Sequence, residues 1–249
     1  MTQLSNTRSS SLKNNLTFSD IFILSVIFFA YPIISSSYAF FTSVLSNEGL
    51  GEVARFDSQS TYLAIVIELI TLAIAFGYLR YRKFNYKSLP IYLDIKVPLQ
   101  MILLVIGAGL VADLLQYFEY WYLWINEPDL TSNPTLLEQS NTMIDDHSNL
   151  SVSFAILSLL NGFYEEIFFM GLVFAVSRDK LTLAIAYSLV IRFLFHTYQG
   201  LFSAVIILSL GIVFLIARKY LKNLVPFFLA HAIFDMFGMG LLIHFMNYQ

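Results

Sequence analysis

Seven runs of apolar sequence, each near the length that crosses a bilayer, constrain this chain more than any motif in it. The hydrocarbon core takes about 20 residues of α-helix. The runs lie at roughly 19–45, 61–81, 98–125, 151–177, 181–198, 201–218 and 224–246, with edges uncertain by a few residues. Of the 249 residues, 57% are hydrophobic and 12% charged, where a soluble domain carries about 25% charged residues. The sequence therefore predicts an all-α, polytopic membrane helical bundle of about seven transmembrane helices, with residues 1–249 forming one integral membrane domain. Pro32 is expected to kink the first helix. Pro98 and Pro226 fall in the opening turns of the third and seventh, where a missing N–H costs little. The polar start, Met1 to Thr17, followed by so long an apolar run, reads as a signal anchor that stays in the protein.

The short loops carry a strong charge asymmetry. Arg8 and Lys13 precede the first helix; Arg80, Arg82, Lys83, Lys87 and Lys96 separate the second and third. Arg178 and Lys180 follow the fourth, and Arg218, Lys219 and Lys222 follow the sixth. If seven helices alternate, all of these share one side. The other side holds Arg55 as its only basic residue, with Glu127, Asp129, Glu138, Asp145 and Asp146 in the longest loop, about Asn126 to Leu150. By the positive-inside rule the amino terminus is cytoplasmic and the carboxyl terminus outside the cytoplasmic membrane. With no cysteine, a disulfide, a thiol nucleophile and a Cys-ligated zinc site are excluded. No phosphate-binding loop is present, and nothing points to nucleic acid.

Ionisable side chains inside a membrane are expensive, about 2.5–3.5 kcal/mol each on insertion scales, and mark function or pairing. Here Glu68, Asp113, Glu119, Glu165, Glu166, Arg192, His196, His231 and Asp235 fall within predicted helices. Glu165 and Glu166 are adjacent, about 100° apart around one helix, so only one can point fully into a cavity. Arg192 and His196 share a helix face at i, i+4, as do His231 and Asp235. A carboxylate and an imidazole can together take a proton from water. A second histidine and an aspartate can hold a metal or stabilise an oxyanion. Buried carboxylates and histidines also build proton relays, so a proton-coupled carrier is an alternative; against it, the chain lacks matching halves with interrupted helices.

Glu165-Glu166, then His196, then His231-Ala-Ile-Phe-Asp235, resembles the CAAX protease and bacteriocin-processing family of intramembrane proteases, whose motifs are EExxxR, FxxxH and HxxxN or HxxxD. The resemblance covers roughly residues 151–246. It implies that Glu165 activates water with help from His196, and that His231 and Asp235 stabilise the oxyanion or help to hold a metal. It implies that Glu166 is an orienting acid paired with the motif arginine. The substrate would be a peptide or a membrane-anchored protein. Metal dependence is left open, a divalent ion such as zinc being compatible with the donors. The family also contains bacteriocin self-immunity proteins, a second alternative for this chain, and nothing in the sequence points to prenyl recognition.

Two positions depart from the pattern. The motif arginine, four residues after Glu166 and on the same face of an α-helix, is Met170. The phenylalanine four before His196 is Arg192. An unpaired charge in the membrane interior is costly, so the cation is expected to have moved from the fourth helix to the fifth, with Arg192 bridging to Glu166. Glu68 and Asp113 read as structural or cavity polarity, Glu119 as interfacial. The Tyr117–Trp124 cluster reads as an aromatic belt. Tyr164, Phe168 and Phe169 read as packing or lipid-facing, and His147 and His244 as solvated bystanders. Counted from the basic side, His196 lies deeper than His231, and the helices must tilt or break to bring them level.

Overall fold

The computed structural model describes residues 16–46, 58–126 and 151–241. Among them the chain forms seven α-helices: α1 (Phe18–Ser46), α2 (Ser58–Tyr81), α3 (Val97–Asn126), α4 (Val152–Glu166), α5 (Leu181–Phe195), α6 (Leu201–Arg218) and α7 (Val225–Phe237). The α4 helix runs on through a π-helical stretch, Ile167–Leu172, and a 3₁₀ turn, Val173–Ala175. Counting that extension, five of these helices are long and apolar enough to cross a membrane. The protein is an integral membrane helical bundle. Glu127 to Leu150, including His147 and the acidic cluster, lies outside the described residues, as do His244 and Gln249.

The seven spans fall close to the expected positions, with three corrections. The last helix stops at Phe237, not near 246, because Gly238 takes a positive φ of 81°, a conformation open to glycine at little cost. The fifth helix stops at Phe195. His196 and a short 3₁₀ turn, Thr197–Gln199, lead into Gly200 at φ 97°, which reverses the chain into α6. Lastly, the fourth helix is not α-helical throughout.

Polar contacts gather the loops at one end of the bundle. Thr17 and Asp20 cap α1 reciprocally: the Asp20 N–H donates to Thr17 Oγ1, and the Thr17 N–H donates to Asp20 Oδ2, a capping-box arrangement. Asp20 also receives Arg82 at the end of α2 through two bonds of 2.7 and 2.9 Å, and the Tyr78 hydroxyl at 2.6 Å. Leu16 bridges to Val176 after α4. Asn223, before α7, exchanges hydrogen bonds with the backbone of Tyr92, while the Leu224 N–H reaches the Pro90 carbonyl. The start of α1, the ends of α2 and α4 and the start of α7 are thus neighbours. Arg218, closing α6, joins them by donating to the Met170 carbonyl. The helices alternate as the charge pattern requires, and every described basic loop is at this end.

The α4 segment is central. In its apolar window 72% of the residues are buried, against 17% for α2; a helix apolar all round belongs inside a bundle. It packs on α7 and α2, while α3 covers α6 and α7, and α5 joins α1 to α6. Gly162 makes the α4–α7 approach possible. A Cβ there would lie 2.4 Å from the Phe228 carbonyl oxygen and 3.0 Å from the Ala232 nitrogen. A proline fixes the rotation of α4. Pro32 lies inside α1 and has no N–H for the carbonyl four residues before it. That carbonyl, Phe28, accepts the Tyr164 hydroxyl instead. Tyr164, Phe168 and Phe169 are all buried and pack on Phe28 and Phe29, so none of the three faces lipid. The belt aromatics Tyr117, Tyr120, Trp121 and Trp124 on α3 are exposed as expected.

Gly162→Ala is expected to destabilise the bundle by about 1–3 kcal/mol through overpacking against backbone. Gly77→Ala, where nothing lies within 4 Å of the added Cβ, should be neutral or mildly stabilising. Thermal unfolding in detergent compares the two; equal effects would show that α4 and α7 are not in backbone contact at Gly162.

Candidate active site

The π-helical stretch begins directly after Glu165 and Glu166, and both carboxylates are buried where α4, α5 and α7 meet. Glu166 is fully enclosed. Its Oε1 receives Arg192 Nη2 at 2.6 Å and lies 2.7 Å from His231 Nδ1. The pairing of Arg192 with Glu166 expected from the sequence is present. Its geometry is end-on: Glu166 Oε2 and Arg192 Nη1 find no partner among the described residues. Two features make room for the guanidinium. Phe169 lies under it, 4.1 Å from Cζ to ring centroid, a cation–π contact. Gly211 of α6 leaves space for its stem, since a Cβ there would approach Arg192 Cδ to 2.8 Å.

Position 170 falls within the π-helical stretch, whose backbone bonds run from i to i+5. Met170 is buried in the apolar core. Its carbonyl takes Arg218 Nε at 2.9 Å, so a basic side chain from α6 serves the irregular backbone.

Glu165 is 2% exposed and has an oxygen, Oε2, with no partner among the described residues. Its Oε1 lies 3.8 Å from His231 Nε2. The same nitrogen is 3.4 Å from Asp235 Oδ1 one turn along α7. Both ring nitrogens of His231 therefore face carboxylates. Asp235 Oδ2 accepts Asn161 Nδ2 at 2.8 Å, and with its side chain 27% exposed Asp235 is the most open member of the group. Asn161 was not singled out by sequence reasoning. A polar side chain in a membrane helix, one turn before Glu165, was the signal that could have found it.

His196 stands at the carboxyl end of α5 and, among the described residues, forms no ion pair with the glutamates. Its Nδ1 is 2.9 Å from the Arg192 carbonyl. A carbonyl only accepts, so Nδ1 carries the hydrogen, and in the neutral ring Nε2 is left as an acceptor. The ring is within electrostatic range of Arg192, His231 and Asp235. The turn after it is tied to α1, where Ser36 Oγ bonds Thr197 Oγ1 at 3.0 Å and accepts the Tyr198 N–H at 2.8 Å. His231 thus approaches both glutamates, while His196 is bonded to the backbone of its own helix. Of the other acids, Asp113 accepts the Leu241 N–H at 3.1 Å, a structural contact that holds the chain after α7 to α3.

Glu165, Glu166 and His231 form a group whose ligand atoms lie within 4.8 Å of one another. The donor set fits a divalent ion in part. Glu166 is occupied by Arg192 and His231 Nδ1, which leaves His231 Nε2 and Glu165 as first ligands and Glu166 as the carboxylate behind the histidine.

Residues 147–237 match the family model for Rce1-like proteins, described as type II CAAX prenyl endopeptidase Rce1-like. Over this part of its length the chain is similar to the CAAX protease and bacteriocin-processing family. The matched segment takes in Glu165, Glu166, Arg192, His196, His231 and Asp235 and leaves out α1, α2 and α3. No curated protein and no solved structure matches the chain. The likeness covers α4 to α7 and does not extend to the first three helices of the bundle.

Breaking a buried ion pair from one side costs about 3–5 kcal/mol, because the remaining charge is left uncompensated. Arg192→Met and Glu166→Gln should each destabilise on that scale. The double variant should lose less than the sum by more than about 1 kcal/mol, since the two residues are in contact. Additive shifts in thermal unfolding would show that the pair is not energetically coupled.

Proposed function

We propose that this protein is an intramembrane endopeptidase in which Glu165 activates water to hydrolyse a peptide bond of a peptide or membrane-anchored protein. The observation that carries the reading is the oxygen of Glu165 left without a partner in a buried site, beside a histidine that Glu166 and Arg192 hold in place. Water bound to Glu165 Oε2 gives up a proton to the carboxylate as its oxygen attacks the substrate carbonyl carbon. His196 assists by accepting a hydrogen bond from water at Nε2. The negative charge that develops on the carbonyl oxygen falls to His231 Nε2–H. On collapse the C–N bond breaks and the proton held by Glu165 passes to the leaving amine. Asp235, held by Asn161, steadies His231. A divalent ion held by His231 Nε2 and Glu165 would take the place of that Nε2 hydrogen and supply Lewis-acid polarisation of the carbonyl instead.

Orientation belongs to the same proposal. The end of the bundle that gathers the basic loops is cytoplasmic by the positive-inside rule. Single cysteines at positions 87 and 178 should resist an impermeant thiol reagent in intact cells, and those at 146 and 249 should react. Labelling of position 87 from outside would overturn the orientation.

The activity test uses purified protein in liposomes with no ion gradient and membrane peptides read by mass spectrometry. Glu165→Ala, His196→Ala and His231→Ala should each lower cleavage by about 10²–10⁴-fold or more while the protein stays inserted. Asp235→Asn should keep substantial activity, because asparagine still meets Asn161 and His231. Cleavage by Glu165→Ala at near the original rate would remove the water-activating role. Substrate handling that needs a gradient would favour a carrier.

A further inference from the structure

The α2 helix lies outside the matched segment, yet one of its side chains reaches the site. Thr61, Leu72, Ala75 and Leu79 form the buried stripe of α2, and Glu68 falls on it, seven residues after Thr61 and four before Leu72. Thr71, one turn on, lies 3.1 Å from the Tyr164 hydroxyl, so this face of α2 is seated against α4. Glu68 Oε2 is sealed from solvent and has no hydrogen-bond partner among the described residues. Glu165, Asp235 and His231 lie within electrostatic range of Glu68, and that histidine is held at Nδ1 by Glu166. Arg192 is engaged by Glu166 as well.

The site thus has more carboxylates than the described residues balance. Glu165, almost fully buried, contributes a second oxygen without a partner to the same group. A sealed carboxylate inside a membrane is tolerated where a partner or a cavity meets it. In the proposed reaction Glu165 Oε2 is taken by water. Glu68 has no part in that reaction, and its Oε2 meets no hydrogen-bond donor among the described residues.

We propose that Glu68 is a specificity residue that receives a basic side chain of the substrate, a lysine or arginine next to the scissile bond, with Asp235 forming the open side of the same acidic wall. The proposal rests on the endopeptidase reading and names a substrate class for it. A peptide crossing apolar surroundings loses the hydration of its cation, so a buried counter-charge discriminates strongly between lysine and an apolar residue of equal length.

The test uses purified full-length protein and two labelled hydrophobic peptides, one with a single lysine and a twin with norleucine at that place, the position being scanned along the peptide. Binding and cleavage are both measured. At one position the lysine peptide should bind about tenfold or more tighter than its twin. Glu68→Gln should level the two by weakening the lysine peptide, and Glu68→Lys should favour a glutamate-containing twin. Glu68→Asp, which keeps the charge if the other variants fail to insert, should keep the sign of the preference. No preference in the original protein, a preference that survives Glu68→Gln, or equal loss for both peptides overturns the proposal. So does a zinc affinity that Glu68→Gln removes while the peptide preference stays. A charge preference in binding without cleavage would sink the endopeptidase reading and leave this one standing; cleavage with no charge preference would do the reverse.

Discussion

A guanidinium and a carboxylate buried together in the middle of a membrane bundle set the terms for everything around them. Neither charge of the Arg192–Glu166 pair is tolerable alone at that depth, and the pair is worth having only if held closely. Phe169 under the guanidinium, Gly211 beside its stem and His231 on the shared oxygen are what hold it. The pair has a functional consequence as well. By engaging Glu166 it fixes the imidazole of His231, and so leaves Glu165, a residue away and turned aside, as the acid free to meet a ligand.

Rotation of α4 decides which glutamate does which, and that rotation is set at a distance. Pro32 withholds one hydrogen from α1, and the carbonyl this frees takes the hydroxyl of Tyr164, the neighbour of Glu165. The π-helical stretch then starts just past Glu166, and Arg218 accepts the burden of its irregular backbone. The acids are therefore bracketed: a hydrogen bond across to α1 before them and a salt-free arginine contact with Met170 after them.

Much of this was legible in the sequence because membrane helices announce themselves by length and by charge. The seven spans, their alternation and the basic end follow from apolar runs and loop lysines and arginines. The missing motif arginine could be traced to Arg192 because a lone cation away from a helix end has few options in lipid. Other features were not legible. The π turn that follows Glu166 is one, because no residue type marks such a turn. Tyr164, Phe168 and Phe169 could be read as packing or as lipid-facing, because apolar runs do not say which helix is central. The early ends of α5 and α7 depend on Gly200 and Gly238, glycines that also fit inside longer apolar runs. Asn161 and Glu68 were visible as polar residues, but their partners are on other helices and only the packing supplies them.

The lengths of α5 and α7 have a consequence for the lipid itself. At 15 and 13 residues they span only about 22 and 20 Å, against a hydrocarbon core of about 30 Å. Helices shorter than the core draw the bilayer surface inward beside them. The helix that ends at His196 and the one that carries His231 and Asp235 are the two short ones, so wherever they meet lipid the bilayer must thin to match them.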